Sequence, residues 1–210
     1  MPATNQKKAQ GEESRRRLLE AAADLVGNGG YSQTSVDAIA QRAGVVKSAL
    51  YWHFGSKNGL LMAALTHYTS SWVTEVRAAT SGSNDPIGRL DLLMAHVREL
   101  ILERPESRRM VFSLLVERGQ HDPEIRRHIC DVFEELRKAL NDGFSEVLPL
   151  IPRERLTVIA DGIVCTCDGI FLRWMADGDV ERLDSSLAEV RRVVMLRIGH
   201  EMQKISRQKP

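Results

Sequence analysis

The chain has 210 residues, 43% apolar and 27% charged, an ordinary globular composition that can bury one or two cores and is neither disordered nor fibrous. The formal net charge is +1, but it is unevenly spread: residues 1–62 hold eight Lys or Arg against five Asp or Glu, and the remainder holds 21 against 23. No run of roughly 18 apolar residues is present, which excludes a membrane-spanning helix, and three cysteines argue for reduced thiols rather than a disulfide framework.

The N-terminal MPATNQKKAQGEESRRR is polar and charged. It lacks the apolar core of a signal peptide, so the expected location is the cytoplasm. Residues 1–13 read as a mobile polar arm. Its Lys7 and Lys8, with Arg15, Arg16 and Arg17 beyond it, either add contacts to a polyanion, as basic arms do, or are simply solvated.

Residues 34–43 follow a helical pattern, with Val36, Ile39, Ala40 and Ala43 at i, i+3, i+4 and i+7, one buried stripe. Thr34 or Ser35 opens this helix as N-cap, and Asp37 stands in capping-box spacing from Thr34. Gly44 then supplies a sharp turn, and residues 45–54 read as a second short helix. A helix, a glycine turn and a helix fit a helix-turn-helix, whose second helix enters the major groove of DNA. At about 100° per residue, Leu50 and Phe54 point to one side of that helix. Lys47, Ser48, Tyr51 and Trp52 spread over the other. A cation, a hydroxyl and two large aromatics are groups able to meet phosphates, base edges and thymine methyls. The alternative is that Tyr51 and Trp52 pack against another helix of the same chain. Ser56 can cap the next helix, whose first turn carries Lys57.

Read together, TSVDAIAQRAGVVKSALYWHFGSK resembles the TetR-family pattern T-T-V-x-x-I-A-x-x-A-G-V-S-x-G-x-L-Y-x-H-F-x-S-K. From Ser14 to about Leu65 the chain is similar to the DNA-binding domain of those bacterial transcriptional repressors. Two positions depart from the pattern: Val46 stands where a serine is usual and Ser48 where a glycine is usual. The first removes a helix cap and the second places a side chain where backbone approaches DNA, so docking depth and base preference stay open. The resemblance implies Lys47, Ser48 and Tyr51 as base-reading residues, and Thr34, Ser35, Trp52, His53 and Lys57 as phosphate contacts. His53, beside Phe54, is equally readable as a packed, hydrogen-bonded residue. Gly59 stands where relatives usually carry a helix former, and we expect extra compliance there.

Beyond this head, breakers predict five further helices. Asn84-Asp85-Pro86 opens one, Pro105 and His121-Asp122-Pro123 open the next two, Pro149 and Pro152 bracket a break, and Asp177-Gly178-Asp179 makes the last turn. Leu90, Leu93, Met94, Val97, Leu100 and Ile101 form one apolar stripe. Ile125, Ile129, Val132, Phe133, Leu136, Leu140 and Phe144 form another. The fold class is therefore all-α, about nine helices, with a helix-turn-helix domain over residues 14–62 and a helical domain over residues 63–210, which the resemblance implies is the effector-binding and dimerisation domain.

The last two helices offer more apolar surface than one thin layer needs, and Asp161-Gly162-Ile163 recurs as Asp168-Gly169-Ile170. Two glycines on one face let another helix approach closely, offsetting a cost of roughly 1 kcal/mol each. The resemblance implies that this closing pair forms a four-helix seam with a second copy, through Ile163, Ile170, Trp174, Leu187, Val190, Val194 and Ile198; the alternative is packing within the chain. It also implies an effector cavity in the middle helices. Met94, Val97, Met110, Leu114, Phe133 and Phe171 are candidate walls, because methionines and aromatics suit an apolar ligand, with Asp168, Asp161 or His96 orienting a polar group. Core packing explains the same residues.

Cys165 and Cys167 lie two apart and so point about 200° from each other on a helix, poor geometry for a metal, and buried free cysteine is the better reading. No glycine-rich phosphate loop or zinc-ligand helix motif is present, and no nucleophile-base pair can be chosen; neither catalytic residues nor a cofactor are expected. The function expected is a ligand-responsive regulator, a repressor by resemblance, binding an inverted-repeat operator as a homodimer. The competing reading is a helical small-molecule-binding adaptor whose N-terminal motif docks protein.

Overall fold

The structure, a computed structural model, describes residues 3–208, with side chains for residues 8–207; Lys7 of the expected arm lies outside them. Among the described residues the chain forms nine α-helices and no strand, in agreement with the all-α expectation: α1 (Ala3–Gly29), α2 (Val36–Ala43), α3 (Lys47–Phe54), α4 (Lys57–Ser81), α5 (Pro86–Glu103), α6 (Pro105–Arg118), α7 (Pro123–Val147), α8 (Arg153–Asp177) and α9 (Val180–Gln208). Prolines open α5, α6 and α7 at the position where a missing N–H costs nothing. Gly178, in the left-handed region at φ 64°, ends α8. α1 starts at Ala3 and takes in the polar segment read as an arm. Within it Arg16 pairs with Glu13 at 2.7 Å and also with Glu20, the i,i+3 and i,i+4 spacing that supports an exposed helix.

Packing divides the chain into two compact units, one running to residue 70 and including 104–130, the other comprising 71–103 and everything from 131 onwards. In the first, α1 packs against α6, α2 and α3. Leu18, Leu19, Ala22, Ala23 and Val26 of α1 are buried, as are Ile39, Ala40 and Ala43 of α2, Leu50 of α3, and Met110, Val111 and Leu114 of α6. The sequence boundary at 62/63 follows chain order; by packing, α6 and the start of α7 belong with the head, because the apolar side of α6 is covered there.

In the second unit α9 packs against α5 and α8. Leu183, Leu187, Val190, Val194 and Ile198 are all buried, and Arg98–Asp184 at 2.6 Å and Arg191–Asp91 tie α5 to α9 at the surface. Arg89 of α5 is buried, with its guanidinium donating to the carbonyls of Ser83 and Gly143 and pairing with Glu146 at 2.8 Å. Those partners satisfy a charge that would otherwise be costly to bury.

Gly59 has a steric reason that the sequence does not reveal. A Cβ there would meet the carbonyl oxygen of Phe54, the last residue of α3, at 2.1 Å, so the turn between α3 and α4 closes only around a glycine. Close approach, not compliance, accounts for the residue. Alanine favours a helix interior by about 1 kcal/mol over glycine, but overpacking costs about 1–3 kcal/mol, and the clash is with backbone that cannot swing aside. Gly59→Ala is expected to lower the urea midpoint, by the equivalent of about 1–2 kcal/mol; an unchanged or higher midpoint would show that the turn opens freely.

Candidate nucleic-acid interface

The helix-turn-helix is held by local chemistry at both ends of α2. Ser35, not Thr34, is the N-cap: its Oγ accepts the Ala38 N–H at 3.0 Å. At the other end Gly44 takes the left-handed conformation at φ 64°, and the N–H groups of Gly44 and Val45 return to the carbonyls of Gln41 and Ala40. A side chain is strained at that φ. α3 follows with Val46 as N-cap, extended and with no side-chain cap bond. Its first amides therefore lack the side-chain partner that a serine gives.

Leu50 is fully buried beneath α3, and the opposite side is open: Tyr51 is 46% and Trp52 78% exposed, with Lys47 and Ser48 exposed beside them. The two aromatics thus do not serve the core. Uncovered aromatics with a polar end mark a contact surface rather than a fold requirement. His53 is half-buried, edge-on to Trp52 at 4.5 Å between ring centroids. Burial, and then Arg15, hold its pKa below the usual value, against the opposing charge of Glu12, which favours the neutral imidazole.

The cations named from sequence separate. Lys47 donates to Asp37 of α2 at 2.9 Å, both side chains exposed. Lys57 turns inward: its ammonium donates to the Tyr31 carbonyl at 2.9 Å and lies 3.9 Å from the centre of the Tyr31 ring. Burial, followed by Arg118, lowers its pKa, with Glu117 opposing. Thr34 is only 6% exposed, and its hydroxyl donates to the Gly30 carbonyl at 2.8 Å. Of the phosphate candidates, Ser35 and Trp52 face outward, while Thr34 and Lys57 are spent on the turn between α1 and α2. Tyr31, Glu117 and Arg118 surround that turn. They escaped the sequence reading because Glu117 meets it across 85 and 86 residues.

The seven effector candidates are divided between the two units. Met110 and Leu114 are buried in the first unit; Met94, Val97 and Phe171 are buried in the second, with Phe133 and Asp168 half-buried there. His96 has an ionic partner in Glu75 at 3.3 Å, and Asp161 has Arg137 at 3.6 Å. A groove of about 680 Å³ lies between α8 and α9, lined by Val158, Ile163, Ile170, Val190, Val193 and Val194 among others. Four of the expected seam residues line it. Leu187, Val190, Val194 and Ile198 are already covered within the protomer, so the exposed apolar row of α9 lies one step round the helix, at Val193 and Leu196. On α8 the exposed face carries Val158, Gly162, Gly169 and Leu172, and open space lies over both glycines. Cys165 is exposed and Cys167 buried.

Asp37 places a carboxylate beside the reading face. Asp37→Asn is expected to release Lys47 and remove a charge that repels phosphate, raising affinity for random duplex DNA by up to about 5-fold, the upper range for one exposed pair. Fluorescence anisotropy at fixed moderate salt measures this, and unchanged affinity would place Asp37 away from the phosphates.

The sequence profile for bacterial regulatory proteins of the tetR family matches residues 18–64, the stretch from the middle of α1 into α4. The chain is 27% identical over 176 residues to the HTH-type transcriptional regulator BetI of Burkholderia mallei, covering 83% of this chain and 87% of that one. Its fold is similar to that of a transcriptional regulator from Rhodococcus sp. Rha1, with a TM-score of 0.70 at 23% identity over 90% of this chain and 96% of the other. It is also similar to that of a TetR family transcription regulator from Marinobacter aquaeolei VT8, with a TM-score of 0.66 at 20% identity over 88% and 97%. No helix among the described residues is long and apolar enough to cross a membrane. With the helix-turn-helix and its exposed reading face, residues 18–64 match the DNA-binding domain of the tetR family of bacterial regulatory proteins, and the chain is similar over most of its length to helix-turn-helix transcriptional regulators.

Proposed function

We propose that the protein is a repressor that binds an inverted-repeat operator as a homodimer and is released by a small apolar or amphipathic effector. The observation that carries the reading is the uncovered Lys47-Ser48-Tyr51-Trp52 face over a fully buried Leu50. Residues 14–62 are the proposed DNA-binding part. Lys47, Ser48 and Tyr51 read base edges, and Ser35, Trp52 and His53 meet the backbone. Thr34 and Lys57 support the turn from behind.

Two-fold symmetry follows from the proposed seam. The groove between α8 and α9, the uncovered glycines of α8 and the exposed Val193 and Leu196 suit a second copy of the same helix pair, which would bury apolar surface at about 25 cal/mol per Å². A two-fold dimer presents two recognition helices to half-sites about 34–36 Å apart or at a wider spacing. If each protomer neutralises about four phosphates, the logarithmic salt slope is about −7. The effector is proposed to enter among Met94, Val97, Phe133, Asp168 and Phe171. It would act by differential affinity for two conformations, so DNA weakens its binding by the same factor.

Two measurements test the reading. With an inverted-repeat duplex selected from random sequence, Lys47→Ala combined with Tyr51→Ala is expected to weaken retention on a gel by roughly 100-fold, from about 1–3 kcal/mol per base contact, leaving helicity intact. Failure of the unmodified protein to prefer any inverted repeat over random duplex would sink the proposal. Val193→Arg is expected to yield monomers in sedimentation and to lose operator retention, whereas a persisting dimer would move the seam elsewhere.

A further inference from the structure

We propose that Glu117, on α6 and outside the reading face, is a positioning residue for operator recognition, acting through the turn between α1 and α2; this rests on the operator-binding reading above. Its carboxylate, in the last turn of α6, has four donors. Oε1 accepts the Tyr31 N–H at 2.8 Å and the Ser113 hydroxyl at 2.7 Å, while Oε2 accepts the Ser32 N–H at 3.0 Å and the Ser32 hydroxyl at 2.8 Å. A carboxylate offers about four lone-pair sites, so its capacity is filled by one tight turn and one serine of its own helix.

The turn is shaped to this carboxylate. Gly30 adopts φ +82°, and a Cβ there would come within 2.7 Å of Oε1. Two cations lie against the Tyr31 ring, the Lys57 ammonium at 3.9 Å and the Arg118 guanidinium at 4.8 Å from its centre. α4 and α6 therefore both hold Tyr31, α6 through an anion and a cation, α4 through a cation that also holds the Tyr31 carbonyl, while Ser32 is held by α6 alone among these contacts.

What the grip controls follows from chain connectivity. Ser32 stands three residues before Ser35, the N-cap of α2, and between them Thr34 is bonded back to Gly30 and Tyr31. The start of α2 cannot shift without loosening these bonds. α2 in turn fixes α3 through the Gly44 turn and meets it again at Asp37–Lys47. Base readout tolerates little misplacement, whereas phosphate attraction tolerates much. Loss of the grip should thus cost sequence discrimination before general DNA affinity. The Ser113 hydrogen bond first, then those of Ser32 and Tyr31, take the Glu117 pKa down to about 2, so the grip is ionised wherever DNA binding is assayed. Glutamine cannot replace it, since an amide nitrogen would point a donor at donors.

The test measures dissociation constants of Glu117→Gln, Glu117→Ala and the milder Ser32→Ala for the selected inverted repeat and for random duplex, with the active fraction titrated. Glu117→Gln and Glu117→Ala are expected to lose about 10- to 100-fold for the operator, the scale of charge-assisted hydrogen bonds. Random duplex should stay within about 2-fold at an unchanged salt slope, because the phosphate contacts are the same. Ser32→Ala should lose a few-fold, and should add nothing once Glu117 is alanine. A role in stability alone would lower the active fraction at an unchanged dissociation constant, and that result overturns the proposal. Equal losses on both duplexes overturn it as well. Absence of any preference in the unmodified protein would instead remove the operator reading, and this inference with it.

Discussion

α2 and α3 are eight residues each, too short to persist alone, since isolated helices below about 12–15 residues are marginal in water. They exist because Ile39, Ala40, Ala43 and Leu50 are buried in the unit that α1 and α6 build. That burial constrains everything on the outer side. With Leu50 turned inward, helical geometry leaves Lys47, Ser48, Tyr51 and Trp52 facing out, and the Gly44 turn sets their direction relative to α2. An apolar requirement on one side of a two-turn helix thereby determines which polar and aromatic groups are offered to DNA.

The charged residues of the head divide by what lies near them rather than by type. Lys47 and Lys57 look alike in sequence, each on the first turn of a helix. Lys47 reaches only an exposed carboxylate and remains available for exchange with a phosphate. Lys57 finds a carbonyl and an aromatic ring, two partners that hold it in place, and burial makes its charge more costly. Glu117 is the counterpart of Lys57: a carboxylate with four donors is a fixed part of the fold, although much of it lies near the surface.

In the second unit, the long apolar seam of α9 is taken up by α5 and α8, as five buried side chains at i, i+4 and i+7 steps require. What remains outside is thinner: Val193 and Leu196, the glycines of α8 and the groove between the two helices. The proposed dimer would be built on this residue of surface. Gly162 and Gly169 fit that arrangement, because among the described residues nothing lies within 4 Å of where their Cβ atoms would be, whereas Gly59 is required by a contact inside the chain.

Helix number, the starts of the proline-opened helices and the helix-turn-helix were legible from the sequence because they rest on local signals: proline at first turns, glycine at sharp ones, and apolar residues at three- and four-residue intervals; the start of α1 at Ala3, in a segment read as an arm, was not. The identity of the outward face of α3 was legible for the same reason, being periodicity about one buried leucine. Tertiary structure alone decided which of two hydroxyls caps α2, which lysine stays outward, why Gly59 is glycine, and which side of α9 is covered. Each of these depends on a partner supplied by another element: the Phe54 carbonyl for Gly59, the Tyr31 carbonyl for Lys57, and α5 for α9. Glu117 is the extreme case, since a carboxylate that meets its turn across 85 residues has no local pattern from which its role could be read.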